Sequence, residues 1–139
     1  MAGYSGTPLP IKLGIKSGHR VLLDAVPDTI ELAPLPAGVT VRSRASRAGP
    51  AGAEPYDVIV ACTPDVVTLR RRYGPLKDRM RTTGSLWICW PKRSSGVPTD
   101  LSENVVRDHA LANGLVDVKV CAVDTTWSGL KLVYRLVDR

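Results

Sequence analysis

Two short segments of the sequence carry side chains of types suited to binding an anion. WPKRSS places an indole ring before two cations and two hydroxyls, and DTTWSGLK combines a carboxylate, several hydroxyls, a second indole and an amine. Cations and hydroxyls donate hydrogen bonds to anions, and an exposed indole often marks a contact with a partner. The candidate ligand-binding residues are Trp90, Lys92, Arg93, Ser94, Ser95, Asp124, Trp127, Ser128 and Lys131.

Each of these residues also has an interpretation that needs no ligand. Trp90 can cover the core, and Lys92 and Arg93 can be solvated charges. Asp124 can stabilise its own turn by accepting backbone hydrogen bonds. Trp127 is harder to explain by packing, because an aromatic ring in a turn gains little from the core. Both interpretations of Trp127 remain open from the sequence.

Support for nucleophilic catalysis is weak. The candidate nucleophiles are Ser94, Ser95, Ser128 and Cys62. Each of them needs a neighbouring base, and only two histidines are available. His19 precedes the first predicted strand, and His109 falls within a predicted helix, where it is expected to pack or face solvent. The sequence therefore favours a protein that is not an enzyme.

Metal sites and disulfides are not expected. The chain has no CxxC or HxxxH pair, so a metal site is disfavoured. Cys62, Cys89 and Cys121 are odd in number, widely spaced and placed late in apolar runs, which is typical of free buried thiols in a reducing cytoplasm. We see no signal peptide and no membrane-spanning run, and we expect a cytoplasmic protein.

The composition predicts one ordinary globular domain. A length of 139 residues and an apolar content of 44% suit a single domain, 1–139, and the absence of Phe makes its core aliphatic. The net charge of +6 allows an anionic partner. The Arg-rich segment 70–81 makes nucleic-acid binding an alternative, although basic clusters are usually solvated surfaces.

Six strands and two helices can be predicted from the hydrophobic periodicity. The predicted strands are 19–25, 39–44, 56–62, 85–90, 116–123 and 130–137. An apolar stripe at spacings of three and four predicts a helix that contains Val66 and Met80, with a break or kink at Gly74–Pro75. A second helix is predicted to begin at Asp100 as N-cap and to end at Asn113–Gly114. The link 45–55 has no helical period and predicts an irregular loop.

The order of these elements predicts a Rossmann-like α/β fold. Strands alternating with helices favour a mostly parallel sheet with right-handed crossovers. The link DTTWSG between the last two strands predicts a C-terminal antiparallel hairpin. Ligands of such sheets bind outside the carboxyl ends of the strands, which is where the candidate residues are expected to lie.

Three longer segments resemble a known protein family. YSGTPLPIKLGIKSGHRVLL, LWICWPKRSSGVPTDLSENVVRDHALANGLVDVKV and CAVDTTWSGLKLVYRL are similar to a small bacterial, mainly actinobacterial, family of domains of unknown function. The resemblance implies a Rossmann core like that of methyltransferases, in which the last strand inserts beside the fourth. The implied strand order is 2-1-3-4-6-5, with only the last strand antiparallel.

The cofactors common in this fold are not supported by the residues. Sites for S-adenosylmethionine (SAM) or NAD use a glycine-rich turn after the first strand and a carboxylate near the end of the second. Here the first turn reads LLDAVPDTI, with no Gly and with Pro27, and the second strand ends in Arg42, Ser43 and Arg44. The sequence therefore predicts no cofactor.

Three functional hypotheses follow. The leading one is a non-catalytic binding or regulatory domain that engages a small anionic ligand or a protein partner at the corner formed by 90–95 and 124–131. The alternatives are a degenerate transferase-like enzyme that uses the same edge, and nucleic-acid binding through 70–81.

Overall fold

The computed structural model of the protein describes residues 6–44 and 54–139. They form one six-stranded sheet of order β2-β1-β3-β4-β6-β5. The strands are β1 (Arg20–Asp24), β2 (Thr40–Arg44), β3 (Tyr56–Cys62), β4 (Met80–Pro91), β5 (Leu115–Ala122) and β6 (Trp127–Tyr134). The pairs β1–β2, β1–β3 and β3–β4 are parallel, and β6 is antiparallel to both β4 and β5. The predicted fold class and strand order are confirmed. Except for residues 54 and 55, the predicted loop 45–55 lies outside the described residues.

The sheet separates two apolar clusters because alternate residues of each strand point to opposite faces. The first cluster includes Ile59, Ile88 and Leu130 and packs against α2 (Val66–Lys77) and α3 (Glu103–Ala112). The second cluster includes Val60 and Trp87. It packs against the short helix α1 (Leu9–Lys12) and against the segment 25–39, which contains no regular helix.

The helix α2 passes through the predicted interruption. The helix continues to Lys77, and the N–H of Asp78 still donates to the carbonyl of Gly74 at 3.0 Å. The predicted break at Gly74–Pro75 is therefore wrong, and the kink that was predicted as its alternative stays a prediction. Pro75 lies in the last turn, where the burial of Leu76 against the first cluster outweighs the donor that proline lacks.

The helix α3 begins later than predicted. Its N-cap is Ser102, whose Oγ accepts from the N–H of Val105 at 3.3 Å. Asp100 instead accepts from the N–H of Val66 at 2.8 Å and so caps the start of α2. Asn113 ends α3, as predicted, and Gly114 follows with φ +91°.

The predicted bounds of two strands also need correction. β4 starts at Met80 rather than at residue 85, because Met80 pairs with Tyr56 before the chain bulges. β6 ends at Tyr134, and Leu136 is 78% exposed in a following turn rather than part of an apolar strand face. None of the helices formed by 6–44 and 54–139 is long and apolar enough to cross a membrane.

Candidate functional site

The carboxyl ends of the parallel strands meet at one edge of the sheet, which we call the carboxyl edge. β4 ends there at Pro91, and β6, which runs in the opposite direction, begins there at Trp127. Pro91 pairs with Trp127 and Trp90 pairs with Ser128. The N–H of Lys92 donates to the carbonyl of Thr126 at 2.7 Å. The structure thus brings the two sequence segments singled out for anion binding into direct contact.

The first of these segments forms a tight turn with its own hydrogen bonds. Residues Arg93–Ser95 form one turn of 3-10 helix, and Gly96 closes it with φ +77°. The Oγ of Ser95 donates to the carbonyl of Lys92 at 2.6 Å and accepts from the N–H of Val97 at 3.2 Å. The Ser95 hydroxyl therefore serves the turn, whereas the side chains of Arg93 and Ser94 are exposed.

Trp90 and Asp124 have structural roles at this corner. Trp90 is only 7% exposed and belongs to the first apolar cluster. Asp124 accepts two backbone hydrogen bonds at its Oδ1, from Thr126 at 2.8 Å and from Trp127 at 2.7 Å. These bonds shorten the turn between β5 and β6, so that strand pairing begins at Trp127 rather than at residue 130.

Trp127 and Lys131 differ in position from what the sequence predicts. Trp127 is half-buried and packs against the second apolar cluster, so it is not an isolated ring in a turn. Lys131 pairs with Trp87, deeper in the sheet, and lines a cavity that the corner residues do not reach. The expectation that Lys131 belongs to the corner is therefore wrong.

A cleft of about 440 Å³ opens at the carboxyl edge on the side of the second cluster. It is bordered by α1, by the segment after β1 and by the turn between β5 and β6. We call it the Glu31 cleft. Its polar lining residues are Thr7, Lys12, Thr29, Glu31 and Asp124. This volume lies within the range of about 300–1,000 Å³ that is typical of small-molecule sites.

The sequence does not reveal the Glu31 cleft, because its walls have no hydrophobic period. α1 has only four residues, and the segment 25–39 is irregular. The one signal is Pro8 followed by LPIK, since proline is favoured next to the start of a helix. A second cleft, of about 420 Å³, lies at the same edge between Trp90 and Glu103 and includes Arg93.

The cysteines of this region are poor nucleophiles. Cys62 and Cys89 pair across β3 and β4 and are buried, and Cys121 is half-buried. A hydrogen bond with Cys62 and burial raise the pKa of the Cys89 thiol well above its usual value, and burial raises the pKa of Cys121. Both thiols therefore stay protonated near neutral pH, and the thiolate is the reactive form.

The histidines do not supply a base at the carboxyl edge. His109 packs edge-on against the ring of Tyr73, with 4.8 Å between ring centres. Burial, with a smaller contribution from Arg70, lowers its pKa. His19 precedes β1 and therefore lies at the opposite edge of the sheet. Among the residues that the structure describes, no cluster of three or more His, Cys, Asp or Glu could hold a metal ion.

Comparison with solved structures shows which proteins share this fold. DhpI in complex with SAH has a TM-score of 0.63 at 11% identity and covers 93% of this chain and 83% of that one. An rRNA methylase from Streptococcus thermophilus has a TM-score of 0.58 at 12% identity, with 95% and 99% covered. A TehB-like SAM-dependent methyltransferase from Corynebacterium glutamicum has a TM-score of 0.56 at 10% identity, with 96% and 91% covered.

The sequence comparisons find no related family or protein. No protein-family model matches the sequence, and a search of curated proteins finds no relative. At identities of 10–12% the solved structures show the fold, and this fold is the methyltransferase-like Rossmann core.

The comparisons contradict part of the functional interpretation of the sequence. The structures from Streptococcus thermophilus and Corynebacterium glutamicum that share this fold are named as a methylase and a methyltransferase, so the expectations of a non-catalytic binding domain and of a protein without enzymatic activity are corrected. A transferase-like enzyme, which the sequence supported only as an alternative, agrees better with these structures.

Proposed function

We propose that the protein is a SAM-dependent methyltransferase that binds SAM in the Glu31 cleft. The observation that carries the proposal is the position of this cleft. It opens at the carboxyl edge of a sheet with the methyltransferase strand order, where ligands of open α/β sheets bind. We also propose that the chain belongs to the small bacterial family it resembles. The free thiols of all three cysteines favour a cytoplasmic location.

The site after the first strand, where this fold usually binds its cofactor, is not formed in this protein. No helix directly follows β1, so no helix N-terminus faces the end of that strand. Val26 and Leu32 pack against the second cluster, and Ile30 is buried in it. The chain still turns sharply after β1, because Ala25 adopts φ +56°, a conformation normally left to glycine. The segment after β1 thus covers the sheet beside the end of that strand, and the open cleft lies instead next to α1 and the start of β6.

The polar groups of the Glu31 cleft fit the chemistry of SAM. Carboxylates accept hydrogen bonds from ribose hydroxyls and from an α-ammonium group, and Glu31 and Asp124 supply two. Lys12, whose Nζ lies 3.5 Å from the carbonyl of Ala122, brings positive charge suited to the α-carboxylate. Leu9 and Val123 provide apolar surface.

The chemistry divides between the cofactor and these residues. Bound SAM supplies an electrophilic methyl group attached to a sulfonium sulfur. Glu31 and Asp124 orient the cofactor, and their negative charge favours a cationic ligand over a neutral one. The two hydrogen bonds that fix Asp124 hold its carboxylate in place before a ligand arrives, which reduces the ordering cost of binding.

The proposal is tested by calorimetry with SAM and SAH. We expect dissociation constants below ~100 μM, which corresponds to roughly 5.5 kcal/mol. Glu31→Gln and Asp124→Asn should each weaken binding at least tenfold. Asparagine keeps an Oδ1 acceptor for the turn and removes only the charge, so Asp124→Asn should stay folded. Asp108→Asn, at an exposed position of α3, is the matched control and should bind normally.

Two results would contradict the proposal. If neither SAM nor SAH gives saturable binding to the folded protein, the cofactor assignment is wrong. If the wild type binds but Glu31→Gln and Asp124→Asn bind equally well, the cofactor occupies another place and the assignment of the Glu31 cleft fails.

A further inference from the structure

A separate cavity of about 500 Å³ lies at the opposite, amino edge of the sheet. We call it the Lys131 cavity. It contains Lys16, His19, Ser85 and Lys131, and none of these residues lines the Glu31 cleft. The sequence predicts no site there.

The cavity borders an irregular part of the sheet. β3 and β4 pair at Tyr56–Met80 and next at Val58–Ser85, so the four residues 81–84 of β4 face a single residue of β3. The bulge requires glycine at position 84, because a Cβ there would lie 2.6 Å from the carbonyl oxygen of Asp57. The extra residues of a bulge are not paired with the neighbouring strand, and the bulge changes the direction of the side chains around it.

Several positive charges lie at or beside the cavity, and one of them, Lys131, has no ion-pair partner among the residues that the structure describes. Lys131 lies directly opposite Lys119 across β5 and β6, an arrangement that is destabilising for like charges. Burial lowers the pKa of Lys131, and the charges of Lys119 and Lys16 add to this effect. Within residues 6–44 and 54–139, no carboxylate lies within ion-pair distance of Lys131.

The carboxylate that lines the cavity is already engaged. Asp57 accepts from the N–H of Arg20 at 2.8 Å and forms an ion pair with Arg81 at 3.0 Å. It therefore contributes little negative charge towards Lys131.

Two further hydrogen-bond donors, His19 and Ser85, line the cavity. His19 accepts the N–H of Lys16 at its Nδ1, at 3.1 Å, so the proton of its neutral ring lies on Nε2 and can be donated. Ser85 is only 5% exposed, lines the cavity and makes no side-chain hydrogen bond to any residue that the structure describes. The Ser85 hydroxyl is therefore available to donate to an acceptor bound in the cavity.

We propose that the Lys131 cavity binds the phosphate group of a small phosphorylated molecule. A phosphate dianion offers three acceptor oxygens, and the cavity presents two ammonium groups, an imidazole N–H and a hydroxyl. The cavity volume suits a small molecule rather than a polymer. The site is independent of methyl transfer at the carboxyl edge, and its test does not involve SAM.

The test is a titration with inorganic phosphate at constant ionic strength, followed by NMR of the His19 ring and the Ser85 amide. We expect both signals to shift and saturate. Lys131→Gln should weaken this binding at least tenfold, and Lys131→Arg should preserve most of it. Arg70→Gln removes one positive charge from an exposed site on α2 and should change nothing. Lys131→Gln should remain folded, because it relieves repulsion from Lys119.

Three results would overturn the proposal. Shifts that do not saturate indicate only general ion attraction. Equal weakening in Lys131→Gln and Arg70→Gln shows that net charge, and not the cavity, attracts phosphate. Preferential binding of a single-stranded RNA oligonucleotide over phosphate at the same signals excludes the small-molecule class.

Discussion

Asp124 stabilises a turn and also lines the cleft in which we propose that the cofactor binds. Its Oδ1 holds the N–H groups of Thr126 and Trp127, and its carboxylate borders the Glu31 cleft. The sequence suggested either a turn residue or a ligand-binding residue; the observed contacts show the turn role, and ligand binding through the second carboxylate oxygen stays a prediction. Trp90 is different, since its burial in the first cluster explains it without a ligand.

Two tryptophans on the same face of the sheet provide a prediction at the scale of residues. Trp87 is fully buried, and its Nε1 donates to the carbonyl of Leu13 at 3.0 Å. Trp87→Ala should therefore reduce the free energy of unfolding by about 3–5 kcal/mol. Trp127 is half-buried, so Trp127→Ala should cost only about 2 kcal/mol. Denaturation curves of the two variants give both values.

The comparison between the two variants contains its own control. An equal loss for Trp127→Ala would mean that Trp127 anchors the core as firmly as Trp87. A loss of less than about 0.5 kcal/mol, the usual size of a surface substitution, would mean that its contact with the second cluster contributes nothing.

At the scale of elements, the sequence predicted the parts that depend on hydrophobic periodicity. Apolar strands that alternate with helices and end in a hairpin predict the mostly parallel sheet, and the resemblance to a known family implies its strand order, which is correct. The helix caps were harder, because Asp100 and Ser102 both match the N-cap preference and only the tertiary fold places Asp100 beside α2. The Glu31 cleft could not be predicted, because an irregular segment forms one wall and its path depends on packing against α1.

The two caps can be separated experimentally. Asp100→Ala removes the acceptor of the Val66 N–H and should weaken α2, whereas Ser102→Ala removes the acceptor of the Val105 N–H and should weaken α3. Each change should cost about 0.5–2 kcal/mol. Amide hydrogen exchange should quicken at Val66 in the first variant and at Val105 in the second.

The exposed Asp108 of α3 supplies the control, because Asp108→Ala also removes a carboxylate from this region but no cap. It should leave both amides unchanged. Faster exchange at Glu103 in Asp100→Ala would instead support the N-cap that the sequence predicted.

At the scale of the whole molecule, the net charge of +6 overstates the positive charge available to a partner. Most basic side chains of the Arg-rich segment 70–81 contact other parts of the protein. Those with such contacts are Arg72, Lys77, Arg79 and Arg81. Arg72 lies 3.2 Å from the carboxylate of Asp24, and Lys77 and Arg79 lie over tyrosine rings. Arg70 and Arg71 are the exposed members of the segment.

This arrangement predicts weak binding of nucleic acid through the segment 70–81. Each phosphate contact on duplex DNA adds about 0.9 to the slope of log affinity against log salt concentration. Two available arginines therefore predict a slope of roughly −2, whereas six basic residues acting together would give roughly −5. The slope is measured by fluorescence anisotropy with a short labelled duplex over a range of salt concentrations.

The double variant Arg70→Gln/Arg71→Gln should bring the slope close to zero. The control is Lys119→Gln, which removes a charge from the exposed edge strand and should leave the slope unchanged. A slope near −5 that falls only to roughly −4 in the double variant would show that the four basic residues engaged within the fold also bind DNA, and nucleic-acid binding would then be favoured.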